Sequence, residues 1–149
     1  MGIAALITWI ITASGGLYML MVWLIESDSK RPGATASRLP VAVVSGHLLL
    51  AISGLLVWAA YLFTDIDRLA WIALIILVTV ALLGSTLFAR WVPVYRTARA
   101  VPVAAGNVPG IEPDPPAERY FPLTIVIGHG ALATTTLVLV ALTTLGVGS

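Results

Sequence analysis

Four long apolar segments occupy most of this chain and limit it to one kind of fold. Their ranges are 3–25, 41–63, 69–90 and 121–147. A helix that crosses a bilayer needs about 20 mostly apolar residues, and each segment is long enough. The chain is 59% hydrophobic and only 10% charged, a composition that soluble domains of this size do not have. The sequence therefore predicts an all-α fold with a single transmembrane domain over residues 1–149.

The distribution of basic residues predicts how the helices are oriented. Seven of the eight Lys and Arg residues lie in or beside the first and third connections, and only Arg68 lies in the short second turn. Because cytoplasmic connections are rich in Lys and Arg, the first and third connections are predicted to be cytoplasmic. Both termini then lie outside, and the protein is multi-pass in the cell inner (plasma) membrane. Short turns favour an up-down bundle in which helices 1 and 3, and helices 2 and 4, are diagonal.

The third connection, residues 91–120, is rich in proline. Six prolines up to Pro116 argue against a helix that runs through all of it. Its first part, "WVPVYRTARA", is typical of an interfacial segment, and "GIEPDPP" is expected to be extended. A tether between two helices is favoured over a site for a partner.

Two similar motifs carry the only histidines, "VSGHLLL" with His47 and "VIGHGAL" with His129. Counted from the cytoplasmic boundary, His47 lies about six residues into helix 2, and His129 about eight into helix 4. At about 1.5 Å per residue, both lie roughly 9–12 Å inside the same boundary. Their helices are predicted to face each other across the bundle. No internal repeat is evident beyond these paired contexts.

Glycine lies in the same layer on all four helices. The glycines concerned are Gly15, Gly16, Gly46, Gly84, Gly128 and Gly130. Glycine lets backbones touch or leaves room for a flat, bulky group. Two imidazoles can hold haem iron from opposite faces, and Arg90, near the same boundary, can pair with a propionate. One haem b is therefore predicted, with His47 and His129 as its axial and metal ligands.

Two other interpretations of the histidines stay open. They can be a structural or proton-relay pair, because a buried His can bond to a carbonyl on the next helix. A non-haem metal is less favoured, because two histidines are few ligands and no carboxylate lies at that depth. The inward faces from His47 through Gly54 and Trp58, and from His129 through Thr136 and Val140, predict an inner cavity and ordinary packing in the outer half.

Several classes of function have no support in the sequence. There is no cysteine, which excludes disulfides, thiolate-ligated haem and iron–sulfur clusters. No nucleotide-binding or hydrolase motif is found, so no enzyme activity is assigned. All acidic residues lie in connections or at helix ends, and this argues against a carboxylate-driven transporter. Nucleic-acid binding is not expected, since anionic lipid explains basic residues beside a bilayer.

The segments "SGHLLLAISGLLVWAAYL" and "FPLTIVIGHGALATTTLVLVALTTL" resemble the small four-helix b-type membrane cytochromes. That resemblance implies axial ligation of haem b by His47 and His129. The usual members hold two haems with four histidines, whereas this chain has one pair, which implies one haem. With "FARWVPVYR" (88–96), the chain also looks like an uncharacterised family of small bacterial membrane proteins.

The sequence thus predicts a b-type haem protein with one bis-histidine haem in the cytoplasmic half of the bundle. Its expected role is one-electron transfer, with the lipid bilayer around it. A quinone or a membrane redox partner would exchange the electron, and the chain can also form a homo-oligomer. The alternative is a non-catalytic membrane accessory or scaffold subunit with structural histidines.

Overall fold

A computed structural model of the chain describes residues 1–28, 37–100 and 116–147. It contains four long helices and one 3-10 turn. They are α1 (Gly2–Asp28), α2 (Val41–Thr64), α3 (Asp67–Ala100), the 3-10 turn (Ala117–Tyr120) and α4 (Leu123–Thr144). Each long helix is long and apolar enough to cross a membrane. The predicted all-α class with four such helices is confirmed, and the chain has the features of a multi-pass membrane protein.

Proline sets the start of two helices. Pro40 and Pro122 are the N-caps of α2 and α4, both in extended backbone conformation. Proline suits a helix start because an N–H there would have no partner within the helix, and because its fixed φ is close to the helical value. At the far end of α2, Asp65 adopts a left-handed conformation with φ 53°. Its N–H bonds to the carbonyl of Tyr61 at 2.8 Å, which closes the helix and starts the short turn to α3.

The predicted end of helix 3 at residue 90 is wrong, because α3 continues to Ala100 with Pro93 inside it. Proline removes one backbone hydrogen bond, and tertiary packing outweighs this cost. Trp91 and Val94 are 4% and 6% exposed, and α3 packs against the 3-10 turn. Residues 101–115 of the predicted Pro-rich connection, which include all of "GIEPDPP" except Pro116, lie outside the described residues, as do 29–36.

The helices associate in two pairs. α1 packs mainly against α4, and α2 mainly against α3. α3 also contacts α4, and α1 contacts α2 over a smaller surface. In the described part of the chain, the backbone of α1 makes no close contact with α3, and that of α2 makes none with α4. The predicted diagonal relationships are therefore confirmed.

The buried core lies in the half of the bundle farthest from the 3-10 turn. Its members are Ala5, Trp9, Trp58, Ala70, Ala73, Leu77 and Val140. Large apolar side chains cover the outside of all four helices, and many are about half exposed. Such a surface suits a lipid environment. We call the end of the bundle that carries Arg38, Arg90 and the 3-10 turn the basic end.

Candidate functional site

The two histidines face each other across the bundle. His47 on α2 and His129 on α4 have ring centroids 6.4 Å apart, with ring planes inclined by 56°. Both side chains are partly buried. Each histidine follows the first residue of its helix by the same number of residues, so the two lie at equal depth from the basic end. The structure thus brings together the pair that the sequence singled out.

Each imidazole is held by a backbone carbonyl of a neighbouring helix. His47 Nδ1 lies 3.0 Å from the carbonyl oxygen of Val80, and His129 Nδ1 lies 2.9 Å from that of Thr12. A carbonyl can only accept, so Nδ1 donates its proton in both rings. In a neutral imidazole this places the free lone pair on Nε2. Neither Nε2 has a hydrogen-bond partner among the described residues.

Two glycines allow this close approach. A Cβ atom on Gly16 would lie 3.0 Å from Cε1 of His129, and one on Gly84 would lie 3.1 Å from Cε1 of His47. Gly15 also borders the His129 ring, since a Cβ atom on Gly15 would lie 3.7 Å from Nδ1 of His129. A side chain at Gly16 or Gly84 would force the ring to move. These three glycines of α1 and α3 therefore form the cradle of the imidazoles.

The other predicted glycines are the chain neighbours of the histidines. Apart from chain neighbours, a Cβ on Gly46 would meet Leu83 at 4.0 Å, and nothing lies within 4 Å of one on Gly128 or Gly130. These three glycines therefore do not border the histidine of another helix. Arg90 is exposed at the basic end, where its Nη1 donates to the carbonyl of Arg38 at 3.3 Å. It lines an open cleft of about 490 Å³.

The outer parts of the predicted inward faces are confirmed. Gly54 and Trp58 of α2, and Thr136 and Val140 of α4, are buried. Thr136 Oγ1 donates to Thr8 Oγ1 of α1 at 3.0 Å, a polar contact between these faces. Ordinary packing thus fills the half beyond the histidines. Two clefts of the described chain open at the two ends of the bundle, and neither is the predicted cavity between the histidines.

The histidine site has an approximate two-fold symmetry that sequence reasoning missed. One half consists of α1 and α2, and the other of α3 and α4. The histidine of each half bonds to a helix of the other half: His47 bonds to α3, and His129 bonds to α1. The signal is in the sequence as a shared pattern, proline, five residues, then Gly-His, which begins at Pro40 and at Pro122. The repeat therefore extends beyond the histidine contexts to whole helices.

α1 and α3 also correspond to each other residue by residue, with one constant separation along the chain. The corresponding pairs are Ala5 and Ala73, Thr12 and Val80, Gly16 and Gly84, and Trp23 and Trp91. Ala5 and Ala73 are fully buried, and Thr12 and Val80 supply the two carbonyls that hold the imidazoles. The two histidines thus occupy equivalent environments.

Sequence reasoning also missed Glu118, which it placed in a connection. The structure buries this side chain completely, at 0% exposure. Its Oε1 accepts from the backbone N–H of Arg38 at 2.7 Å, and its Oε2 accepts from Ser37 Oγ at 2.9 Å. Its carbonyl accepts from Trp91 Nε1 at 3.1 Å. Ser37 Oγ in turn accepts from Trp23 Nε1 at 2.9 Å. We call these five residues the clasp.

The fold and the site define an all-helical chain, able to span a membrane four times, with two imidazoles opposed near one end. No family model matches the chain, and no curated protein or solved structure is significantly similar to it. Within the described residues, no group of three or more His, Cys, Asp or Glu side chains is placed to hold a metal ion. The two histidines and their surroundings are therefore the features of the chain that bear on its function.

Proposed function

We propose that this chain is a membrane protein that binds one b-type haem between His47 and His129. The observation that carries the proposal is the opposition of the two imidazoles, each fixed through Nδ1 and each with Nε2 free of a partner among the described residues. Histidines that ligate a metal commonly donate their other ring N–H to a carbonyl, which fixes the tautomer and the ring orientation. Both histidines of this chain have that arrangement.

The separation of the rings supports the same proposal. A metal–imidazole bond is about 2.0–2.1 Å long. Two such bonds on opposite sides of one metal place the ring centroids about 6.4 Å apart when the width of the rings is included. The observed separation is 6.4 Å. The pair therefore needs no change of centroid spacing to act as axial ligands.

The remaining surroundings suit a flat group. Gly16 and Gly84 lie on α1 and α3, the other diagonal pair of helices, and present no side chain to the site. The approximate two-fold symmetry gives equivalent surroundings to the two ligands. Arg90 at the basic end is the candidate partner for a propionate. With His47 and His129 both holding the iron, bound haem would supply one-electron transfer in preference to oxygen binding.

The setting of this activity follows from the sequence. The positive residues near the basic end support a cytoplasmic location for that end, with the chain in the inner membrane. A quinol or a membrane redox protein would supply or accept the electron. Bound haem would provide the redox chemistry, and the chain would hold it and exclude water.

A second candidate is a membrane accessory or scaffold subunit with structural histidines. One observation favours it: both imidazoles already satisfy a backbone carbonyl and fill the cradle of Gly16 and Gly84. In this reading the histidines join the two helix pairs through hydrogen bonds. The purified protein would then be colourless and would copurify with a stable partner.

An absorption spectrum separates the two candidates. The full chain would be purified in detergent after expression with adequate haem, and spectra would be recorded before and after reduction with dithionite. A sharp Soret band with split α and β bands on reduction is the expected result. A colourless protein that also fails to bind added haem would support the accessory subunit.

Variants show whether the two histidines are the ligands. His47→Ala and His129→Ala should each abolish the low-spin spectrum, and added imidazole should restore part of it. Leu50→Ala and Leu132→Ala are matched controls, because they truncate partly buried side chains one turn away on the same two helices. Both controls should keep the spectrum. An unchanged low-spin spectrum in both histidine variants would overturn the assignment.

A further inference from the structure

The backbones of the helices that carry the two histidines do not pack against each other. α2 and α4 are a diagonal pair with no close backbone contact in the described part of the chain. Their histidines nevertheless lie with ring centroids 6.4 Å apart. Two residues that hold one metal must keep their separation within a few tenths of an ångström. The position of α2 relative to α4 therefore depends on α1 and α3, which pack against both, and on any direct link between the segments that enter α2 and α4.

The clasp makes that link. Ser37 and Arg38 lie just before the first turn of α2, and Glu118 lies in the 3-10 turn just before α4. The Glu118 carboxyl group accepts from both, at 2.9 Å from Ser37 Oγ and 2.7 Å from Arg38 N. These two hydrogen bonds join the segment that enters the His47 helix to the segment that enters the His129 helix.

The other members of the clasp hold this contact in place. Trp23 of α1 donates to Ser37 Oγ, and Trp91 of α3 donates to the Glu118 carbonyl. Leu39 N also donates to Ser37 Oγ, at 3.1 Å. All four long helices are thus connected through Ser37 and Glu118. A buried network in which every member has a partner is rigid, because no group can leave without losing a bond.

We propose that Glu118 is a positioning residue for the histidine pair: its carboxyl group sets the spacing of α2 and α4, and thereby the spacing of His47 and His129. The role of that spacing in haem ligation rests on the proposed function. Glu118 acts through the backbone of the two entering segments and does not touch the ligand. Ser37, whose hydroxyl group donates to the Glu118 carboxyl group, acts together with it.

The first test needs no haem. The chain has no native cysteine, so Ile52→Cys on α2 and Thr134→Cys on α4 can carry spin labels at exposed positions that the internal repeat relates. Double electron–electron resonance on the haem-free full chain measures their separation. We expect Glu118→Gln to broaden or shift the distance distribution, because one of the two donors then faces an amide N–H instead of an oxygen.

Matched variants keep this result specific. Ser37→Ala should broaden the distribution, and Ser37→Thr, which retains the hydroxyl, should restore it. Glu26→Gln removes another carboxyl group near the same end of the bundle and should leave the distances unchanged. Distances in Glu118→Gln that match those of the parent would overturn the positioning role.

The second test uses the haem-loaded protein. Transfer of haem to an excess of apomyoglobin should be about tenfold faster from Glu118→Gln and Ser37→Ala, a factor that matches the loss of one hydrogen bond. The electron paramagnetic resonance g-values of the low-spin iron should shift in the same variants. Changed distances in a chain that never binds haem would keep the positioning role and reject the proposed function. Changed distances with unaltered haem transfer and g-values would show that Glu118 sets the spacing of the helices but not the ligation by His47 and His129, and would overturn its role for the histidine pair.

Discussion

Trp23 and Trp91 occupy equivalent positions on α1 and α3, and each donates its indole N–H into the clasp. Trp23 Nε1 lies 2.9 Å from Ser37 Oγ, and Trp91 Nε1 lies 3.1 Å from the carbonyl oxygen of Glu118. Ser37 and Glu118 are themselves hydrogen-bonded. The approximate two-fold axis therefore passes close to both the histidine pair and this polar contact.

This arrangement predicts that both tryptophans stabilise the bundle through their N–H groups. Trp23→Phe and Trp91→Phe should each lower the free energy of unfolding by about 1 kcal/mol, since each removes one hydrogen bond from a buried acceptor. Thermal unfolding in mild detergent, followed by circular dichroism, is the measurement. Trp71→Phe is the control, because Trp71 is 47% exposed and should show little change. Equal stability of all three variants would contradict the prediction.

The glycine cradle gives a second prediction. Gly16→Ala and Gly84→Ala place a methyl group about as close as 3.0–3.1 Å to an imidazole carbon. Overpacking of this kind costs about 1–3 kcal/mol, and the ring must move to relieve it. Both variants should therefore lose stability and weaken haem binding, measured by titration with haem in detergent.

Gly130→Ala is the matched control for the cradle variants. Apart from its chain neighbours, one of which is His129, nothing lies within 4 Å of a Cβ atom at Gly130. This variant should bind haem as the parent does and should be at least as stable. A loss of binding in Gly130→Ala as large as in Gly16→Ala would show that the cradle is not what matters.

The threonine contact in the far half of the bundle gives a third prediction. Thr136 Oγ1 donates to Thr8 Oγ1 across the α1–α4 interface. Thr136→Val keeps the shape and removes this bond, at a cost of about 0.6 kcal/mol, as typical between membrane helices. Thr135→Val changes an exposed neighbour and should be neutral. Unfolding by denaturing detergent can resolve the difference, and equal stabilities would argue against the contact.

Orientation in the membrane is the subject of a fourth prediction. The absence of native cysteine permits single-cysteine labelling of intact cells with a membrane-impermeant maleimide. Ile66→Cys, in the turn between α2 and α3, should react from outside. Arg90→Cys, at the basic end, should react only after the cells are permeabilised. The reverse pattern would place the basic end outside and move the histidine layer to the other face.

Much of the fold could be predicted because a bilayer imposes simple rules on sequence. The four long apolar segments predicted four helices, and the short turns between helices predicted which helices are diagonal to each other. Pro93 shows where those rules fail: proline alone argued for a helix end, but burial of Trp91 and Val94 decided the outcome. Such burial depends on the 3-10 turn, which lies far along the chain.

The site could be predicted only in part for a similar reason. Equal depth of His47 and His129 follows from counting residues, and the structure brings their rings together. The carbonyl partners, Thr12 and Val80, could not be predicted, since any residue can offer a carbonyl. Glu118 looked like a loop residue because its partners are mostly backbone and hydroxyl groups. Its burial depends on tertiary packing that no local pattern encodes.

The exchange of contacts between the two halves of the chain also limits when the histidine pair can form. His47 finds its carbonyl on α3, and His129 finds its carbonyl on α1. His47 can gain its partner as soon as α3 has been made, whereas the Thr12 carbonyl of α1 must wait for α4 and His129. The pair is therefore complete only when the first and fourth helices are both present. A chain that stops before α4 has at most one of the two imidazoles in place.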